Sequence, residues 1–69
     1  MKIDLIKLGA SCRDFRRSQN LLISDIAEST GYTEANISSF EKGKIKSFQL
    51  LIYYLSIGME MPEVVNYER

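Results

Sequence analysis

The stretch from Ile26 to Lys44, IAESTGYTEANISSFEKGK, constrains the chain most, because a glycine divides it into two short helical patterns. Gly31 follows a helical pattern, and glycine enters the left-handed conformation that ends a helix without steric penalty. Thr33, two residues on, is placed to cap the next helix by accepting a bond from a free backbone N–H, and Gly43 closes that helix at its far end. The later helix of this pair, the third in the chain, is therefore expected over about Glu34 to Lys42. Within it Ile37 and Phe40 stand three apart on one face, while Glu34, Ala35, Ser38 and Ser39 lie towards the other. One face packs, and the other is left for recognition.

Two short helices around such a turn have the layout of a DNA-reading helix-turn-helix, here expected at 22–42. Between Leu8 and Lys44 the chain supplies Leu8-Gly9, Arg13 and Arg16, Leu21, Ala27-Glu28, Gly31, Ile37-Ser38 and Glu41-Lys42-Gly43-Lys44. In this spacing it resembles the Cro/repressor helix-turn-helix family, the xenobiotic-response-element type of bacteria, and the register holds without a gap. The resemblance covers roughly half of the chain. It implies an all-α fold, a compact five-helix domain of the lambda-repressor-like kind, with the whole of 1–69 as a single domain.

Composition agrees. At 69 residues there is room for one small core, and a chain this short buries only about 60% of its unfolded surface. One Cys excludes an intrachain disulfide, and the absence of His excludes a zinc-stapled module, so no metal and no cofactor are expected. A cytoplasmic setting is expected, in a bacterial cell or phage-infected host. Asp4 and Lys7 interrupt the N-terminal apolar run and the run from Leu50 to Leu55 is too short to span a bilayer, so no membrane association is expected.

Elsewhere, Leu5, Leu8, Cys12 and Phe15 recur at three- and four-residue steps, which predicts a first helix from about Asp4 to Ser18, with Asn20 as its stop. A second helix, about Ile23 to Ser29, buries Ile26 and Ala27. Leu22 occupies its cap position and is no capping residue, leaving Ser24 as a late cap. Ser47 caps a fourth helix that runs to about Ile57 and ends at Gly58, and Pro62 suits the first turn of a short fifth helix to about Tyr67, so that helices 4 and 5 occupy 47–67. The uncharged fourth segment, SFQLLIYYLSIG, also has the β-branched and aromatic content of a buried strand, but its length and caps favour a helix. Such a helix is apolar almost all round. Its excess either packs under Met59, Met61, Val64 and Val65 or forms a homodimer or partner interface.

Nine basic residues balance nine acidic ones, so the chain offers no general attraction to a polyanion. Their distribution is uneven. Residues 1–17 carry +3 and the loop of Lys42, Lys44 and Lys46 another +3, while 18–41 carry −4 and the remainder −2. Two basic stretches flank an acidic middle, as expected if they hold phosphates on either side of an inserted helix; the alternative is an ordinary mixed surface.

The resemblance implies that Arg16 and Glu41 form a buried structural ion pair; the alternative is a solvated Arg16 that contacts phosphate. Position on the third helix marks Thr33, Glu34, Ala35, Ser38 and Ser39 as base-contact candidates, with phosphates expected at Arg13, Arg17, Asn36, Lys42, Lys44 and Lys46. No Arg, Lys or Gln stands on the reading face to make a bidentate base contact. Family members often carry Gln where this chain has Ile23, so Leu22, Ile23, Ile52 and Tyr53 form a candidate protein interface instead. No enzyme is expected: Cys12 sits on the apolar stripe of the first helix, as a small core residue or, alternatively, a redox sensor, and the tyrosines are assigned to packing, Tyr53, Tyr54 and Tyr67 in or beside the C-terminal surface. The expected function is sequence-specific transcriptional regulation, as a repressor binding a pseudo-palindromic double-stranded DNA operator as a homodimer. The alternative is a modulator or antirepressor of the same fold that pairs with another repressor protein.

Overall fold

Each helix begins where a side chain can satisfy a free backbone N–H. The computed structural model describes residues 2–63 and the backbone of Val65 and Asn66. The Asp4 carboxylate accepts the Lys7 N–H at 3.0 Å and opens α1, Leu5–Ser18. Thr33 Oγ1 accepts from Asn36 N–H at 3.1 Å at the start of α3, Glu34–Glu41, and Ser47 Oγ accepts from Leu50 N–H at 3.2 Å at the start of α4, Phe48–Ser56. The remaining helix, α2, spans Ile23–Thr30 and starts differently. Leu22 has no acceptor to offer, and the Asp25 carboxylate instead reaches back to the Leu22 N–H at 2.8 Å. This is the returning half of a capping box. It removes the need for the late cap expected at Ser24, which stays exposed and caps nothing.

The helix ends share one device. Asn20, Gly31, Gly43 and Gly58 all have positive φ, at 57°, 80°, 78° and 113°. After α1, α3 and α4 the chain closes with the six-to-one bond of a Schellman motif, Leu21 N–H to Arg16 C=O at 3.0 Å, Lys44 to Ser39 at 2.9 Å and Met59 to Tyr54 at 3.1 Å. Lys42, expected inside α3, is therefore its C-cap.

Leu8 and Cys12 of α1, Ile26 of α2, Ile37 and Phe40 of α3, and Leu50, Leu51 and Tyr54 of α4 form the core with Met59. The Phe40 and Tyr54 rings stack with centroids 6.1 Å apart. α3 packs against both α1 and α2, and its contact with α1 is backbone to backbone. A Cβ on Gly9 would lie 2.4 Å from the Glu41 carbonyl oxygen and 2.5 Å from that of Phe40.

The domain is mostly helical with four helices among the described residues, and the expected fifth helix is overturned. Met61, Pro62 and Glu63 are not helical, and Val65–Asn66 forms a strand, β2, antiparallel to a strand β1 at Lys2–Ile3 in the register Lys2 to Asn66 and Ile3 to Val65. Residues 64 and 67 of the expected helix lie outside the described residues. Adjacent β-branched valines favour extended backbone, and pairing with the N-terminal segment satisfies peptide groups that a one-turn helix would leave free. The apolar excess of α4 is divided: Met59 is buried, whereas Phe48, 75% exposed, Ile52 and Met61 face outward.

The contact at Gly9 sets a test. Its neighbours are main-chain oxygens that cannot swing away, so Gly9→Ala is expected to cost at least the upper part of the about 1–3 kcal/mol of overpacking. Gly31→Ala, with open space around the new methyl group but φ at +80°, should cost only about 1–2 kcal/mol. Urea denaturation of the two variants measures both, and equal losses would contradict the close approach of α1 and α3.

Candidate nucleic-acid interface

α3 has only two apolar anchors, Ile37 and Phe40, so its orientation depends on what holds its last turn. There Glu41 is buried and meets Arg16 from α1. Arg16 Nε donates to Glu41 Oε2 at 2.8 Å and Nη2 to Oε1 at 3.0 Å, a two-pronged pair, while Nη1 donates to the Leu21 carbonyl at 2.9 Å. The Tyr54 hydroxyl of α4 donates to Glu41 Oε2 at 2.7 Å. Both carboxylate oxygens and all three guanidinium nitrogens are thus occupied. One cluster ties together α1, α3, α4 and the turn after α1.

The cluster changes the acidity of its members. Hydrogen bonds to Glu41 raise the Arg16 guanidinium above the ordinary arginine value, against the opposing effect of burial. Burial, and then the bond to Glu41, pushes the Tyr54 phenol up from its ordinary value. Cys12 has its thiol pushed up to about 12, by burial and then by the negative charge of Glu41. A thiol held protonated is a poor nucleophile, which fits a core residue.

With Ile37, Phe40 and Glu41 inward, α3 turns Thr33, Glu34, Ala35 and Asn36 to solvent and leaves Ser38 and Ser39 half-buried. The Thr33 hydroxyl oxygen already accepts the Asn36 N–H as the helix cap, while its O–H is left to donate. Beside this face a cleft of about 180 Å³ is lined by Arg13, Arg16 and Arg17 of α1, Ile23 of α2, Ser38 and Glu41 of α3, and Lys42 at its C-cap. It brings three of the expected phosphate contacts together with one of the base-contact candidates. Lys44 and Lys46 lie outside it, exposed on the turn after α3. Lys46 borders a separate apolar groove of about 320 Å³ formed by Ile3, Leu5, Leu8, Ser47, Phe48 and Leu51. No family model, characterised protein or solved structure matches this chain.

The residues grouped as a protein interface diverge. Ile23 lines the cationic cleft, while Leu22 beside it is 64% exposed. Ile52 is exposed, and Tyr53 is half-buried, its ring edge-on to Tyr54. Tyr54 itself is fully buried, not at a surface, and sequence reasoning missed its bond to Glu41. The available signal was its spacing, three and four residues after Leu51 and Leu50, on the inward stripe of α4. Tyr32 has a specific partner too, its hydroxyl bonding Gln49 at the start of α4. No helix among the described residues is long and apolar enough to cross a membrane.

Removing Glu41 leaves Arg16 buried and unpaired, so Glu41→Ala is expected to cost about 3–5 kcal/mol. At roughly 0.05–0.15 kcal/mol of stability per residue, 69 residues hold about 3.5–10 kcal/mol in total, so this loss removes a large part of it or all. Thermal melting should show an unfolded or strongly destabilised variant, and Tyr54→Phe, which removes one bond to a charged group, a smaller loss of about 1.5–3 kcal/mol. An unchanged melting temperature for Glu41→Ala contradicts the role of the cluster.

Cys12 and Tyr54 are both acids whose folded values are raised, so they contribute stability that is complete below their unfolded values and lost as pH rises above them. The melting temperature should hold to about pH 8.5 and fall steadily above it as the unfolded thiol and then the phenol ionise. Reaction of Cys12 with a thiol reagent at pH 8 should be slow in the native protein and rapid in denaturant. A melting temperature flat to pH 11 would contradict the burial of both groups.

Proposed function

We propose that this chain is a sequence-specific DNA-binding regulator of the helix-turn-helix kind, with the lambda-repressor-like arrangement of its first four helices, acting as a repressor. α3 enters the major groove with Glu34, Ala35, Ser38 and Ser39 toward base edges and Thr33 and Asn36 at its start. Arg13, Arg17, Lys42, Lys44 and Lys46 meet the phosphates. The observation that carries this is an outward, polar α3 face beside a cleft that gathers Arg13, Arg17 and Lys42, none of them ion-paired among the described residues.

Chemistry on that face is modest. Glu34 accepts from a cytosine amino group, Ala35 touches a thymine methyl, and the serines bond several edges. Phosphate contacts and DNA shape therefore carry much of the affinity. Two copies on a pseudo-palindromic operator, with half-sites about 34 Å apart, double the few base contacts each copy makes. The exposed Phe48 and Ile52 of α4 supply apolar surface for such a pair.

A second function is favoured by one observation. Leu22, exposed at the start of α2, stands where a DNA backbone would run and offers it no hydrogen bond. The same exposed leucine suits a protein partner, as in a modulator that pairs with another repressor.

Selection from a random duplex library, followed by titration at 50 and 200 mM salt, tests the proposal. A regulator with six to ten phosphate contacts per dimer should enrich a two-fold symmetric site and lose about 10³- to 10⁵-fold in affinity between the two salt concentrations. No retention of any duplex at low salt refutes it and turns attention to the protein-binding function at Leu22.

A further inference from the structure

We propose that the cleft between α1 and α3 is a discrete seat for a single phosphate-type oxoanion, gripped by Arg13, Arg17 and Lys42. As a seat for one phosphate of a nucleic-acid backbone it rests on the DNA-binding proposal, and as an oxoanion seat it can be tested alone.

The charge balance of the cleft is lopsided. Four cations, Arg13, Arg16, Arg17 and Lys42, line it against the single carboxylate of Glu41. That carboxylate is fully engaged by Arg16 and Tyr54, so it neutralises Arg16 and nothing else. Three cations remain. Arg13 and Arg17 stand one turn apart on the same face of α1, an arrangement that costs stability between like charges. Neither they nor Lys42 form an ion pair among the described residues. Asp25, on the first turn of neighbouring α2, has its carboxylate engaged with the Leu22 amide. An anion in the cleft would relieve this repulsion.

The remaining lining selects the kind of anion. Ser38 lines the cleft, half-buried and with no hydrogen bond to its hydroxyl among the described residues, so its O–H is free to donate. Ile23 closes one wall without a competing acceptor. Two guanidinium groups, an ammonium and a hydroxyl match the many acceptor oxygens of a tetrahedral phosphate better than a planar carboxylate. The cleft, about 180 Å³, holds roughly six water volumes of about 30 Å³, enough for a phosphate group with part of its hydration. The floor cannot swing in to fill it, because every nitrogen of Arg16 is already committed. This chain thereby places its backbone anchor on α1, where the apolar start of α2 provides none.

The test uses the isotopically labelled full chain. Inorganic phosphate is titrated at constant ionic strength, with chloride as the control, while NMR follows the Arg Nε–Hε signals and the Lys42 amide. Saturable shifts at Arg13, Arg17 and Lys42 are expected with phosphate only. Arg17→Gln and Lys42→Gln should each weaken binding roughly tenfold, while Lys7→Gln leaves it unchanged. The Arg16 Nε–Hε signal, preserved in each variant, confirms that the cluster beneath is intact. Shifts that grow linearly and equally with chloride overturn the seat, as do shifts centred on Lys44 and Lys46. A second arm measures duplex binding against salt for the wild type and for Arg13→Gln/Arg17→Gln, whose log–log slope should fall by about two per protomer. Phosphate binding without duplex binding supports the seat, assigns it to a free phosphate and removes the regulator proposal. Duplex binding with an unchanged slope in the double variant overturns the seat as a contact to the nucleic-acid backbone and leaves the regulator proposal standing.

Discussion

Everything that orients α3 converges on the carboxylate of Glu41. It is one of two buried charged residues among the described residues, and its partners come from three directions: Arg16 from α1, Tyr54 from α4, and through Arg16 the Leu21 carbonyl in the turn toward α2. A buried ion pair does not by itself add much stability over a well-packed apolar pair, because both charges must be stripped of water. Its effect here is geometric. A two-pronged guanidinium–carboxylate pair allows one orientation of two planes, and the phenol of Tyr54 occupies a third lone pair from another side. An apolar replacement would leave α3, with only Ile37 and Phe40 inward, free to roll.

Gly9 works with that cluster. Because α1 presents no Cβ at this point, the last turn of α3 approaches it closely enough for Phe40 and Glu41 carbonyls to rest against its backbone. That closeness brings Arg13, Arg16 and Arg17 to the edge of α3 and creates the cationic cleft with Lys42. The charged surface and the packed core are therefore consequences of one contact. A bulkier residue at Gly9 would act on both, moving the cations away from the outward face of α3 while loosening Glu41.

Caps and stops were legible in the chain because each depends on a local rule. Thr33, Ser47, Asn20, Gly31, Gly43 and Gly58 do what their side chains, or the lack of one, dictate. Arg16 and Glu41 lie 25 positions apart and were legible only through resemblance. Other features depend on partners that no local rule identifies. The C-terminal segment has a helix-compatible proline but pairs with Lys2 and Ile3, a contact between the two ends of the chain. Asp25 reaches back to Leu22, replacing the cap that Ser24 would supply by an acceptor three residues on. Tyr54 shows in the sequence only as a packing residue, because an aromatic ring on an apolar helix gives no hint of what its hydroxyl will meet.

Net neutrality shapes how such a domain can use its charges. With nine cations and nine anions the chain has little long-range field to draw in a polyanion, so approach is slow to benefit from steering. Short-range contacts must then do the holding, and they gain most where cations are already gathered and no reorganisation is needed on binding. The cleft of Arg13, Arg17 and Lys42 has that character, and the turn carrying Lys44 and Lys46 does not. In the proposed function, Glu34 repels phosphate on a face otherwise short of base-reading groups. It tolerates approach only where a donor such as a cytosine amino group meets it, so the same carboxylate that weakens general affinity sharpens the choice of site.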